Sequence, residues 1–270
     1  MSHHEKIKIG ILGCGWIGTA LGNHLSSNGY SVWGTTTQSS RFGELREAGI
    51  EPVLLKIGNP PDQKGVVLPG ADLLLLMMSP SVVWNGRHVL SRLIRSTGAK
   101  CLLLASSTSV YPSVNKWVRE DDAEYIKSPH SGIVLLSLED HFRNIEALNT
   151  VVFRFAGLYG PGREPGRFIS NRHVVAGPDS PVNMVHLEDC VRAIMIVIEN
   201  QPLTGIYNIC ADKHPKREEF YTAAARKIGL EAPRFSEESV DYKLVDNTLF
   251  RNRFQFDYLH PDPLADLDAE

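Results

Sequence analysis

Residues 7–25 read IKIGILGCGWIGTALGNHL, and this stretch decides the fold. Ile7 to Leu12 is a short apolar run of strand character. Beyond the glycines, Ile17, Ala20, Leu21 and Leu25 recur at helical spacing, so the stretch predicts strand, tight turn, helix. The turn itself, Gly13-Cys14-Gly15-Trp16-Ile17-Gly18, has the spacing G-x-G-x-x-G in the one context where that spacing has a mechanical meaning. Gly13 permits the sharp turn, Gly15 removes the Cβ that would block a pyrophosphate, and Gly18 lets the helix pack closely on the strand. The first amides of the helix add free donors and a partial positive charge. A glycine turn that merely packs is the plain alternative; context and spacing together favour a dinucleotide.

Working outward, Tyr30 to Thr36 reads as a second strand entered through Asn28-Gly29, and Val53 to Ile57 as a third, with Arg41 to Ala48 helical between them. Asp72 to Met78 and Lys100 to Ser106 are apolar without polar alternation, as in parallel strands covered on both faces, and Val83, Leu90 and Ile94 stripe a helix between them. The segment GNPPDQKGVVLPG at 58–70 holds too many prolines and glycines for a crossover helix, so one helix of the usual set is expected to be missing. Leu135, Leu138, Phe142 and Ile145 mark a further helix that leads to a strand over Thr150 to Phe155. After the glycine-rich segment GLYGPGREPGR, a helix is expected over His186 to Glu199, with Leu187, Cys190, Val191, Ile194 and Ile198 on one face, and then a strand over Gly205 to Ile209. The fold class predicted is α/β, a doubly wound parallel sheet of Rossmann type with a small C-terminal substrate-binding lobe. The dinucleotide-binding core is placed at 1–155, completed by 183–210, and the lobe at 156–182 and 211–270, its tail from Ser236 irregular and near the ligand crevice.

Composition narrows the function. The 270 residues are 43% hydrophobic, enough for a full core, and 28 basic against 31 acidic residues give a net charge of −3. That balance offers no broad field for phosphate backbones, so nucleic acid is not an expected partner. Cys14, Cys101, Cys190 and Cys210 are far apart, without the paired spacing of a zinc site or a disulfide framework, and they fit a reducing cytoplasm. No metal is expected. The longest apolar run, Leu73 to Met78, is too short to cross a bilayer, and MSHHEK lacks a signal-peptide pattern.

The end of the second strand, Gly34-Thr35-Thr36-Thr37-Gln38-Ser39-Ser40-Arg41, has no acid to grip ribose hydroxyls, as an NAD-selective site usually does. Hydroxyls and Arg41 suit a 2′-phosphate instead, so NADP is expected over NAD. Exposure in a first helical turn is an equal reading of Arg41.

Beyond the glycine turn, the segments ASSTSVYP (105–112), VVFRFAGLYGPGR (151–163), NMVHLEDCVRA (183–193) and GIYNICADKHPKREEFY (205–221) occur in an order that resembles the extended short-chain dehydrogenase/reductases, the superfamily of NAD-dependent epimerases and dehydratases, and especially its shorter atypical members. The resemblance implies a catalytic Ser107, four residues before Tyr111, polarising a substrate oxygen. A serine that only satisfies local backbone groups is the alternative. With Glu139 aligned to the family's acidic position, Ser131 and Leu135 occupy the places of the family's Tyr-x-x-x-Lys pair, and neither substitutes for it. Tyr111, Tyr125, His130, Tyr159 and His186 are the remaining titratable candidates, Tyr111 and His186 resembling positions that shape the scaffold. Asp189 resembles an aspartate that orders backbone at a helix start.

With the readings of the glycine turn and of the end of the second strand, the resemblance puts cofactor binding at Gly13, Gly15, Trp16, Ile17, Gly18, Thr35, Arg41 and Ser106. It places Tyr159, Arg163 and Arg167 at a substrate pocket, where the two arginines suit an anionic group or lie in solvent. The function implied is an NAD(P)-dependent oxidoreductase or epimerase-like enzyme on a small or nucleotide-linked substrate. The missing tyrosine and lysine support the alternative, a catalytically inactive NAD(P)-binding sensor. The partner expected is a small molecule, with no membrane; the family's dimers pair through two helices, although an apolar helix face here serves a core equally well.

Overall fold

A computed structural model describes residues 7–57, 66–169 and 174–268 of the chain. In chain order it forms β1 (Lys8–Leu12), α1 (Trp16–Ser27), β2 (Ser31–Thr36), α2 (Phe42–Glu47), β3 (Glu51–Leu54), β4 (Leu73–Leu76), α3 (Pro80–Ser96) and β5 (Cys101–Ser107). There follow β6 (Trp117–Val118), α4 (His130–Arg143), β7 (Asn149–Phe155), β8 (Gly157–Tyr159), β9 (Val174–Val175), β10 (Met184–His186), α5 (Leu187–Glu199) and β11 (Gly205–Ile209). The last elements are α6 (Arg217–Lys227), β12 (Arg234–Phe235), β13 (Leu244–Val245), α7 (Thr248–Phe254) and α8 (Ala265–Asp268). Two compact units result: one runs to Ser106 and takes in Val134–Phe153 and Ile194–Ile206, the other holds Ser107–Ile133, Arg154–Ala193 and the chain from Tyr207.

Seven strands form one sheet in the order β11-β7-β5-β4-β1-β2-β3, a doubly wound parallel sheet. The order reverses between β1 and β4, where the crevice of such sheets opens at the carboxyl ends of the strands. Four consecutive leucines make β4, and all are fully buried because helices cover both faces. Val83, Leu90 and Ile94 of α3 join Leu74 and Leu76 in one core cluster with Leu138, Phe142 and Ile145, as their spacing predicts.

Two expectations change. Strand β3 lies at Glu51–Leu54 instead of Val53–Ile57, pairing Trp33 with Glu51 and Thr36 with Leu54. It is an edge strand, where a proline such as Pro52 is tolerated and apolar content is a poor guide. On α1 the buried residues are Gly18, Leu21, Gly22 and Leu25, while Ile17 and Ala20 are only half-buried. The helix lies so close to its neighbours that a Cβ at Gly22 would sit 2.3 Å from the Ile50 side chain. Leu21 and Leu25 are buried at the expected spacing, and Gly18 and Gly22 share the contact with them. Of the proline-rich stretch expected to lack a helix, 58–65 lie outside the described residues, and 66–70 carry no regular structure.

The second unit holds three two-stranded parallel ladders: β8 with β10, β9 with β12 and β6 with β13. In the first, Gly157, Leu158 and Tyr159 pair with Met184, Val185 and His186. No helix among the described residues is long and apolar enough to cross a membrane.

Candidate functional site

The turn after β1 is pinned from β2. Gly13 N–H donates to Thr35 Oγ1 and Cys14 N–H to the Thr35 carbonyl, each at 2.8 Å. Gly13 has φ +106°, a conformation that a side chain would strain. A Cβ on Gly18 would stand 2.4 Å from the Gly13 carbonyl oxygen, so this glycine is required by the approach of helix to turn. Gly15 differs: a Cβ there would meet nothing within 4 Å and would project into open space. It is also the N-cap of α1, which has no side-chain cap and no acid in its first turn.

A cavity of about 300 Å³ lies against this turn, lined by Gly13, Cys14, Gly15, Thr35, Thr36, Thr37 and Arg41 and, from the far side, by Met77, Met78 and Ser79. The last three, at the β4–α3 junction, were not singled out in the sequence; their signal is their place at the carboxyl end of a strand beside the switch point. Arg41 donates from Nη1 to the Cys14 carbonyl at 2.5 Å and grips Glu44 with Nε and Nη2 at 2.9 and 2.5 Å. The Arg41 hydrogen bond holds the Glu44 carboxyl below its usual range. Burial pushes the Cys14 thiol up to about 12, so it is an inert filler, its Sγ occupying the space left by Gly34.

Of the expected cofactor residues, Gly13, Gly15, Thr35 and Arg41 come together around this cavity. Trp16 and Ile17 are half-buried in the first turn of α1. Ser106 is buried, and its hydroxyl donates to Glu139 Oε1 at 2.5 Å.

In the second unit, Ser107 is half-buried at the end of β5, where its Oγ accepts from the Ser109 amide at 3.1 Å and lies 3.0 Å from the Ser109 hydroxyl. Tyr111 is fully buried: its hydroxyl donates to Asn208 at 2.6 Å and accepts from Arg154 at 2.9 Å. Burial, opposed by Arg154, pushes the phenol up to about 12. Tyr159 is also buried, its hydroxyl donating to Asp266, and burial followed by that carboxylate raises its pKa. Arg163 and Arg167 are exposed; the first bonds the Leu158 carbonyl and lies over the Phe168 ring, the second pairs with Glu164 at 3.3 Å. Tyr125 and His130 are exposed. On α4, Ser131 is exposed and Leu135 buried. Asp189, with no exposure, accepts the Leu259 and His260 amides, ordering backbone as its position suggests.

A parallel sheet with a reversed strand order and a glycine turn opening on a cavity defines a Rossmann-type nucleotide-binding fold. The chain belongs to the NAD-dependent epimerase/dehydratase family: residues 81–210 match the family itself. It is 34% identical to protein YeeZ of Escherichia coli strain K12 over 96% of this chain and 98% of that one. Among solved structures, a conserved protein of unknown function from Silicibacter pomeroyi superposes with a TM-score of 0.80 at 22% identity, covering 98% of both chains. A UDP-glucuronic acid 4-epimerase from Bacillus cereus, solved in complex with NAD, gives 0.74 at 17% identity over 98% of this chain and 97% of that one.

Proposed function

We propose that the protein binds a pyridine dinucleotide, NADP ahead of NAD, and is an oxidoreductase or epimerase-like enzyme acting on a small or nucleotide-linked substrate. The observation that carries this reading is the cavity of about 300 Å³ against the glycine turn, which Gly15 lines at the N-terminus of α1 without a Cβ to fill it. A diphosphate fits there, with the helix N-terminus supplying donors and positive potential. The complex of the Bacillus cereus epimerase with NAD supports a pyridine dinucleotide as the ligand, while the preference for NADP rests on Arg41 and the absence of an acid at the end of β2. When bound, such a cofactor supplies hydride transfer.

The roles of this chain's residues follow. Thr35 fixes the turn through its hydroxyl and carbonyl, so the amides are aimed before the ligand arrives. Arg41 receives the 2′-phosphate through Nη1, which gives one of its two hydrogens to the Cys14 carbonyl, or in exchange for part of its grip on Glu44. Glu44 is exposed, so its release into water costs little. Ser107 exchanges the Ser109 contact for a substrate oxygen, and Tyr159, Arg163 and Arg167 belong to the substrate lobe. An inactive dinucleotide-dependent sensor is the second reading, favoured by Ser131 and Leu135: one helical turn apart on α4, they offer neither a phenol nor an ammonium.

Arg41→Ala separates the cofactor claims. NADPH affinity is expected to fall about tenfold, roughly 1.4 kcal/mol, with NADH affinity almost unchanged; an equal effect on both nucleotides would reject the 2′-phosphate contact. Turnover separates enzyme from sensor. Hydride exchange with a carbonyl or sugar-nucleotide panel, lost in Ser107→Ala with nucleotide binding kept, supports the enzyme, and its absence across the panel supports the sensor.

A further inference from the structure

In the second unit, well apart in sequence from the glycine turn, two imidazoles and two carboxylates meet. His186 closes β10 and Glu188 opens α5 one residue later, so local geometry alone brings both to the same corner. His260 arrives from the C-terminal segment and is anchored by its backbone. The Leu259 and His260 amides donate to the two oxygens of the fully buried Asp189 at 2.8 and 2.9 Å, and Arg192 holds the same carboxylate at 3.0 Å. The rings of His186 and His260 then lie with centroids 3.7 Å apart at 36°. His260 Nε2 stands 3.1 Å from Glu188 Oε2, and one ligand atom from each of His186, Glu188 and His260 lies within 4.8 Å of the others.

We infer that His186, Glu188 and His260 form a site for a divalent transition metal, zinc by the chemistry of its donors. Two imidazole nitrogens and a carboxylate oxygen are the donor set that zinc takes in open sites. The 3.1 Å between His260 Nε2 and Glu188 Oε2 is close to the separation of two ligands that each stand about 2.0–2.2 Å from one zinc ion. The ion takes the place of the proton between them. Behind His260, Asp266 Oδ2 accepts the Tyr159 hydroxyl and lies 3.1 Å from Nδ1, which makes no hydrogen bond among the described residues; a small turn of the ring would let Nδ1 donate to it, as outer carboxylates do for metal-bound histidines. His186 Nδ1 now accepts the Glu188 amide at 3.3 Å, a long bond, and the ring turns to coordinate at that bond's expense.

The chemistry also suits an open site. His186 and His260 line a cavity of about 450 Å³ together with Tyr159, Glu164, Lys227 and Ile228, so an ion held by three protein ligands keeps a coordination position facing it. Water or a ligand oxygen fills that position.

Full-length protein, stripped with a chelator and dialysed, is titrated with ZnCl₂ by calorimetry and in parallel with CoCl₂ by visible absorption. One equivalent is expected to bind, with d–d bands on cobalt loading. Glu188→Gln and His260→Gln, which change direct ligands, are each expected to weaken zinc by at least the roughly ten- to hundredfold typical of losing an outer-shell partner. Glu188 is exposed, so its substitution does not disturb the core and reads the site even where a histidine variant fails to fold. His3 and His4 offer a second pair of imidazoles, so the titration is repeated with both changed to Ala, and the equivalent is expected to persist. The assignment is overturned by the absence of saturable zinc binding tighter than about 100 μM. Affinity unchanged in Glu188→Gln, or binding that disappears with His3 and His4, overturns it equally.

Discussion

Gly15 and Gly34 are both glycines beside the same turn, and they are glycines for opposite reasons. The space a Cβ would take at Gly34 is filled from within by Cys14 Sγ, whereas the space at Gly15 lies open. The proposed ligand lies at the second, where Gly15 lines a cavity, and the G-x-G-x-x-G spacing marks that turn in the sequence; the first depends on a strand remote in sequence. Tyr111 shows the same limit. In the chain it is one of several phenols near a family serine motif, but once folded its hydroxyl links Asn208 and Arg154 within a buried network that continues from Arg154 to the Glu120 carbonyl. Tyr111→Phe is therefore expected to destabilise the protein by about 1–3 kcal/mol, read as a lower urea midpoint, and to leave dinucleotide binding intact. Loss of turnover at an unchanged midpoint would place the phenol in the chemistry instead.

Among the elements, those that bury apolar side chains were legible, the edge strand β11 included, and the more exposed edge strand β3 was not. The strand Gly205–Ile209 and the helices carrying Leu90 and Phe142 stand where apolar periodicity places them, because burial on a core fixes the pattern of side chains. Strand β3, at the sheet edge, starts with Glu51 and Pro52 and is defined by hydrogen bonds to β2, which apolar periodicity does not register. The start of α7 also rests on partners remote in sequence. Asp246 Oδ1 accepts the Thr248 amide and hydroxyl at 2.8 and 2.5 Å, while Oδ2 accepts Arg119 Nε at 2.9 Å. Burial tends to raise this carboxyl, but the Thr248 bonds and Arg119 outweigh it, and its pKa lies below the usual value. A folded pKa below the unfolded one gives stability that is fully present above the ordinary carboxylate range and is lost as pH falls through the lower folded value. Asp246→Asn should then lower stability at neutral pH and flatten its decline on acidification over that window. An acid limb of the same steepness in thermal melts of the variant would show that Asp246 is not a source of it.

For the molecule as a whole, the doubly wound sheet and the glycine turn follow from local sequence, since strand, turn and helix are consecutive there. The rest of the chemistry is assembled from distant residues. Arg41 meets the turn across 27 positions, and His260 meets Glu188 across 72, with no spacing rule to announce either contact. Asp266, near the end of the chain, likewise reaches the Tyr159 hydroxyl, tying the last short helix to β8. Dinucleotide binding at the glycine turn is the claim on which the enzyme and sensor readings both depend. Calorimetric titration of the purified protein with NADPH and NADH, beside the variant Gly15→Val, tests it most directly. One saturable site is expected, tighter for NADPH and abolished by the valine while the melting temperature without ligand stays within a few degrees of the parent. Heat of binding from neither nucleotide, or equal affinity in parent and variant, would contradict it.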